Sequence, residues 1–257
     1  MKKVLAFDLD GTLAPSKSPV PDVIAELLGN LLTHFHVCVM SGGKFEQFDI
    51  QLLSNLKLEP SKLVKLHIMP TCGTKYYLFN SKTSSWVKSY SEDLSTAQKL
   101  EIADTLKDVI HKLKLDNLKT YGDQLEDRGS QVSWSALGQD IVDVLGVEGI
   151  RLKEEWDPNG SKKEKIRSML APLLPEFEVR AGGTTTIDIT KKGIDKAYGI
   201  TKLMEQLNLK KEDILFFGDK LQEGGNDYPV KAMGVDSLEV SSWKDTAFAL
   251  EAILHVS

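Results

Sequence analysis

Asp8 and Asp10 stand two residues apart in D-L-D-G-T-L, directly after the apolar run Val4 to Phe7. Carboxylates at that spacing on a strand end can be aimed around one small space, where they repel unless a cation or a proton sits between them. With oxygen ligands alone, the cation this arrangement calls for is Mg²⁺, which keeps several waters and favours carboxylates together with a substrate phosphate. Ser41-Gly42-Gly43 follows a second apolar run, Phe35 to Met40. A hydroxyl beside exposed backbone N–H groups there suits a phosphate oxygen. A third run, Ile214 to Phe217, ends in Gly218-Asp219, with Asn226 and Asp227 beyond a Gly-rich turn. Lys196 opens a helical stretch, a position that the helix dipole disfavours for a cation and that therefore calls for a nearby anion.

Positioning these groups requires a parallel sheet, because only its carboxyl edge gathers the ends of successive strands. The stretch from Pro19 to His34 repeats apolar residues at Ile24, Leu27, Leu28, Leu31 and Leu32, a helical spacing that makes strand, helix and strand a right-handed crossover unit. Phe45 to Leu56 reads as another helix, Leu63 to Met69 and Lys75 to Phe79 as strands, and Ser81 to Ser85 as a linker. From about residue 84 to residue 190 the pattern changes. It predicts a long helix capped by Ser95, strands at Leu118 to Gln124 and Gln131 to Leu137, a polar turn from Glu154 to Ser161, a helix from Lys162 to Leu174, and strands at Phe177 to Arg180 and Thr184 to Ile189. The expected fold class is α/β: a Rossmann-like core of residues 1–83 and 191–257 with a parallel sheet, and an inserted α+β cap of residues 84–190.

Composition narrows the function. A net charge of −5 without a basic block gives nucleic acid no footing as a partner. The apolar runs are too short to span a bilayer or to serve as a signal peptide. Cys38 and Cys72 have neither metal-ligand nor disulfide spacing and read as reduced thiols, so the expected compartment is the cytoplasm. The sequence leaves oligomeric state open.

The four stretches, in this order, resemble motifs I to IV of the haloacid dehalogenase superfamily of aspartate-based phosphotransferases. D-L-D-G-T-L is similar to motif I, Ser41-Gly42-Gly43 to motif II, G-I-D-K ending at Lys196 to motif III, and G-D-K-L-Q-E-G-G-N-D to motif IV. A cap inserted between motifs II and III is the mark of the IIB subfamily, which holds sugar phosphatases and the eukaryotic-type phosphomannomutases. The resemblance implies that Asp8 is the nucleophile and that Asp10 is the general acid and base. It further implies that Ser41 and Lys196 fix the phosphoryl oxygens and that Mg²⁺ is held by Asp8, the main-chain carbonyl of Asp10 and Asp219, with Asn226 and Asp227 holding the metal or its waters. Gly42 would lie against the phosphate.

G-D-K-x-x-x-G-G-N-D and V-R-A-G-G-T-T-T-I-D-I look particularly like the phosphomannomutases. On that comparison Arg128, Thr186 and Asp188 fall on cap positions that meet a sugar phosphate, while Gln139 stands where the mutases carry an arginine and Lys17 replaces another near the hinge. Loss of bidentate guanidinium forks weakens a grip on a bisphosphorylated sugar. The expected function is therefore a Mg²⁺-dependent phosphatase for a small phosphorylated metabolite such as a sugar phosphate, with phosphomannomutase as the alternative. A non-catalytic binding protein on the same scaffold would be favoured by loss of Asp8 or Asp219, and both are present.

Overall fold

Residues 2–256 are described in the computed structural model. Val4–Asp8 (β1) is buried at every residue, as a strand covered on both faces must be. It lies inside a seven-stranded sheet with His36–Met40 (β2), Leu66–Met69 (β3), Lys75–Asn80 (β4) and Ser85–Ser91 (β5) on one side. Ile214–Gly218 (β10) and Asp236–Glu239 (β11) continue it on the other, giving the order β11-β10-β1-β2-β3-β4-β5. The first five strands of that order are parallel, and β4 and β5 add an antiparallel hairpin. Alternate side chains of β1 and β2 enter two different cores. Leu5, Phe7, Val37 and Val39 pack with Ile24, Leu28 and Leu31 of helix Asp22–His34, whereas Val4, Ala6, Cys38 and Met40 pack with Ile200 and Leu203 of helix Lys196–Leu207.

These strands belong to one of two compact units, made of the residues up to Ser91 and those from Ile194 onward; Glu92–Gly193 forms the other. Its antiparallel sheet has Leu125–Asp127 (β6), Gln131–Ser135 (β7), Phe177–Ala181 (β8) and Thr186–Lys191 (β9) in the order β6-β7-β9-β8. Val132, Trp134, Val179, Ile187 and Ile189 face Ile102 and Leu106 of helix Thr96–Lys112 and Ile166 and Leu170 of helix Ser161–Leu170. Ser95 caps the long helix with a reciprocal capping box to Gln98.

Four sequence expectations need correction. Ser85–Ser91, placed in the cap, is a strand of the large sheet, and Ser81–Ser85 is the hairpin turn before it, where the Asn80 side chain accepts from the Lys82 and Thr83 amides. Leu118 to Gln124 is loop, because Gly122 at φ +76 breaks any extended run there; the strand begins at Leu125. Glu154 to Ser161 is not all turn. Helix Val147–Trp156 runs into it, closed by Trp156 burying against Trp134. The helix from Phe45 stops at Gln51, followed by a single turn of 3₁₀ helix at Leu53–Asn55. Among the described residues no helix is long and apolar enough to cross a membrane.

Candidate active site

The carboxyl edge of the large sheet gathers the motif residues by register. Asp8 pairs with Met40, so Ser41 lies one residue beyond β2, and Phe7 pairs with Phe217, so Asp219 lies one residue beyond β10. Carboxylate oxygens of Asp8, Asp219 and Asp227 lie within 4.8 Å of one another. Two glycines make room for this crowding: a Cβ on Gly11, whose φ is +88, would sit 2.5 Å from Asp219 Oδ2, and one on Gly218 would sit 2.6 Å from the Asp227 carboxylate.

Lys196 neutralises part of that charge. Its ammonium, 1% exposed, donates to Asp8 Oδ1 and Asp227 Oδ1, each at 2.5 Å. The helix that starts at Lys196 is capped by the Asp195 side chain, which accepts from the Tyr198 amide. Its close approach depends on Gly199 meeting Gly73, since a Cβ on Gly73 would fall 2.4 Å from the Gly199 Cα. The lysine at a helix start, which the sequence says calls for a nearby anion, thus has two before any substrate arrives.

Burial acts on the whole cluster. It raises the Asp8 carboxyl above the usual carboxylate range; Lys196 opposes this, but Asp227 and Asp219 reinforce it. Burial also pulls the Lys196 ammonium down, yet Asp8 and Asp227 together outweigh it and hold the lysine charged. The ion pair is asymmetric because the lysine faces two carboxylates while Asp8 faces one lysine and two like charges. Asp219 is likewise raised, by burial first.

The donor set fits a divalent cation. Three carboxylates face the Lys196 ammonium and the charge of Lys220 beside Asp219, and Asp219 Oδ1 is buried without a hydrogen-bond partner among the described residues, an atom that asks for a ligand. Asp227 is fully buried and differently employed: its second oxygen accepts from the Lys220 amide at 3.0 Å, so it also fixes the motif IV turn. Asn226 is exposed. The Asp10 side chain is outside this cluster, accepting from the Lys17 amide, Gln47 and Gln51. Ser41 is buried and its Oγ accepts from the Gly43 amide, while Gly42 has open space above its α-carbon. Thr71 and Cys72, both left-handed at φ 48 and 55, brace this turn by donating their amides to the Gly43 and Ser41 carbonyls.

The second unit carries the other predicted residues. Glu126, Ser133, Asp188 and Arg180 stand in one row across all four strands, on the face opposite the apolar core. Ser133 donates to Asp188 at 2.5 Å and Arg128 to Glu126 at 2.8 Å, and Thr186 pairs with Ser135 one row along. The Gln139 amide donates to the Gln124 carbonyl. Sequence reasoning missed Gln47 and Gln51, whose four-residue spacing directly after Ser41-Gly42-Gly43 was the available signal, and Ser133 with Glu126, which strand alternation around Trp134 could have flagged.

The family model for haloacid dehalogenase-like hydrolases matches residues 150–229. Phosphomannomutase of Encephalitozoon cuniculi is 25% identical over 235 residues, spanning 89% of this chain and 84% of that one. Phosphomannomutase of Spinacia oleracea is 26% identical over 237 residues, spanning 89% and 86%. Among solved structures, IMP-bound Plasmodium falciparum IMP-nucleotidase superposes with a TM-score of 0.70 at 18% identity, covering 99% of this chain and 68% of that one. A haloacid dehalogenase-like hydrolase from Bacteroides thetaiotaomicron superposes at 0.64 and 16% identity, covering 98% and 100%. With four motifs in order, the site they form and the fold in agreement, the chain resembles the haloacid dehalogenase-like hydrolases and, among its curated relatives, the phosphomannomutases.

Proposed function

We propose that the chain is a cytoplasmic Mg²⁺-dependent phosphatase for a small phosphorylated metabolite, a sugar phosphate in particular, working through an aspartyl-phosphate on Asp8. The observation that carries the reading is the buried lysine bridging Asp8 and Asp227 beside an orphaned Asp219 oxygen. Mg²⁺ on Asp8, Asp219 and the Asp10 carbonyl, with Asp227 and Asn226 behind, would supply charge neutralisation for the transferring phosphoryl group. Asp8 attacks phosphorus, the bond to the leaving oxygen breaks, and that oxygen takes a proton from Asp10. Water then attacks the same phosphorus, giving its proton back to Asp10 and releasing Asp8. Ser41 Oγ and the Gly42 amide receive phosphoryl oxygens, and Lys196 holds Asp8 against rotation. Arg128, Thr186 and Asp188 are the residues of the second unit that we assign to substrate specificity.

The relatives' names favour phosphomannomutase as a second reading. Gln139 weighs toward hydrolysis: it is not a cation, and its amide is spent on a main-chain carbonyl. A panel of hexose phosphates with Mg²⁺, scored separately for released phosphate and isomerised product, decides. Phosphate release should dominate even with a hexose 1,6-bisphosphate activator; conversion of hexose 1-phosphate to hexose 6-phosphate outpacing phosphate release would establish the mutase.

A further inference from the structure

Asp10 is held by a set of donors that the reaction as described does not use. Its Oδ1 accepts from the Lys17 amide at 2.8 Å and from Gln51 Nε2 at 3.1 Å, and its Oδ2 accepts from Gln47 Nε2 at 3.1 Å. Both glutamines come from helix Phe45–Gln51, one turn apart and facing the same side. Gln51 is 2% exposed and its amide is fully used, donating to Asp10 and the Ser18 carbonyl and accepting from Gln47 at 2.6 Å. Gly43 clears the path for Gln47, because a Cβ there would fall 2.1 Å from Gln47 Oε1. The turn holding Ser41 and the helix that follows it are therefore shaped to bring two side-chain amides onto one carboxylate.

We infer that Gln47 and Gln51 are positioning residues for Asp10, orienting its carboxylate for proton exchange with the leaving oxygen. Oδ1, with two donors, is the anchored oxygen. Oδ2, with one, keeps capacity for a second partner and is the atom that delivers the proton as the phosphorus–oxygen bond breaks. Gln51 fixes the plane of the carboxylate through Oδ1 and Ser18, and Gln47 sets how far Oδ2 can turn. The Lys17 contact is made by main chain at φ 54, so the side chains that select the orientation are the two glutamines.

The inference rests on the phosphatase reading, and the leaving group separates the two. An alkoxide leaving from a sugar phosphate needs a proton, whereas 4-nitrophenolate leaves without one. kcat/KM reports steps up to formation of the phosphoryl-enzyme, so it should be measured with Mg²⁺ for the best hexose phosphate and for 4-nitrophenyl phosphate. In Gln51→Leu the hexose phosphate value should fall by roughly ten- to a hundredfold, and the aryl phosphate loss should be smaller by about tenfold or more. Gln47→Met, at a half-buried position, should show a weaker version of the same split and carries the test if Gln51→Leu does not fold. Equal losses on both substrates, or none on either, in a variant that melts as the wild type does would overturn the inference while leaving the phosphatase intact. A wild type that hydrolyses neither substrate would overturn both.

Discussion

Two buried polar clusters lie at opposite ends of β2, and they meet burial in opposite ways. Level with its carboxyl end, Asp8, Asp219, Asp227 and Lys196 keep opposite charges in contact. At its amino end His36 Nδ1 lies 2.8 Å from His67 Nε2, and His67 Nδ1 lies 2.7 Å from the Tyr76 hydroxyl. Burial pushes His67 down to about 3, with His36 adding to the effect, and pushes the Tyr76 phenol up, so this chain is neutral. Two imidazoles and a phenol can each donate once and accept once along a line, so neutrality leaves nothing unsatisfied. The aspartate cluster has no such solution. Its excess of carboxylates and its unpartnered oxygen make it a poor stabiliser of the fold, which is the cost expected of the cation and phosphate site proposed above.

The largest effect that would break this contrast is at Asp8, the proposed nucleophile. Asp8→Asn should reduce phosphate release to assay background, because an amide is neither nucleophile nor good ligand. Its metal-free stability should not fall. The folded-state pKa of Asp8 lies above its unfolded value of 3.8, so the stability it contributes is full below 3.8 and lost as pH rises, and removing the charge at pH 8 relieves the fold. Thermal melts in a chelator at pH 5 and pH 8 check this; a clear loss of stability in the variant at pH 8 would mean the cluster is structural after all.

Next in size is the cation. Mg²⁺ at ~100 times its Kd should stabilise the wild type by about 2.7 kcal/mol, and Asp219→Ala should lose most of that shift. Equal Mg²⁺-induced shifts in both would take Asp219 out of the site. The histidine chain should respond to acid instead. With the folded pKa of His67 below its unfolded 6.5, stability is full above pH 6.5 and falls as pH drops toward about 3, by up to about 1.4 kcal/mol per pH unit. His67→Phe should cost roughly 1–3 kcal/mol at neutral pH through the unpaired Tyr76 and His36 groups, and should flatten that acid slope, as denaturant melts from pH 7 to pH 4 would show. An unchanged slope would assign acid sensitivity elsewhere.

What was legible beforehand follows the range of the interactions. Motifs I and IV are local strings on strand ends, so the positions of Asp8 and Asp219 follow from the sequence once the sheet is parallel. The Ser95 cap is equally local. Gln47 and Gln51 read as a solvated helix flank, because their target is 37 to 41 residues away. His36 and His67 sit in F-H-V-C-V-M and L-H-I-M as single polar interruptions, and only the β2–β3 and β3–β4 pairings reveal that they join. Helix Val147–Trp156 was hidden because its closing residue is fixed by a tryptophan on another element. Lys196 was placed correctly at its helix start, but its second carboxylate, Asp227, came into view only with the folded motif IV turn.

The smallest expected effect is in the second unit. Gln139→Arg adds a guanidinium where Gln139 now spends its amide on Gln124, and should tighten sugar phosphate binding by about 1 kcal/mol, about fivefold, while raising any ratio of isomerised product to phosphate. Product analysis of the variant beside the wild type checks it. A tighter grip without a change in that ratio would place the hydrolase-to-mutase decision away from this position.

The most direct test of the central claim is to capture the phosphoryl group itself. The protein is mixed with its best sugar phosphate and Mg²⁺, quenched in acid within one turnover, digested and read by mass spectrometry. The peptide containing Asp8 should gain the mass of one phosphoryl group, and the gain should vanish in Asp8→Asn. Phosphate released at the wild-type rate with no label on Asp8, or with the label on another residue, would contradict it.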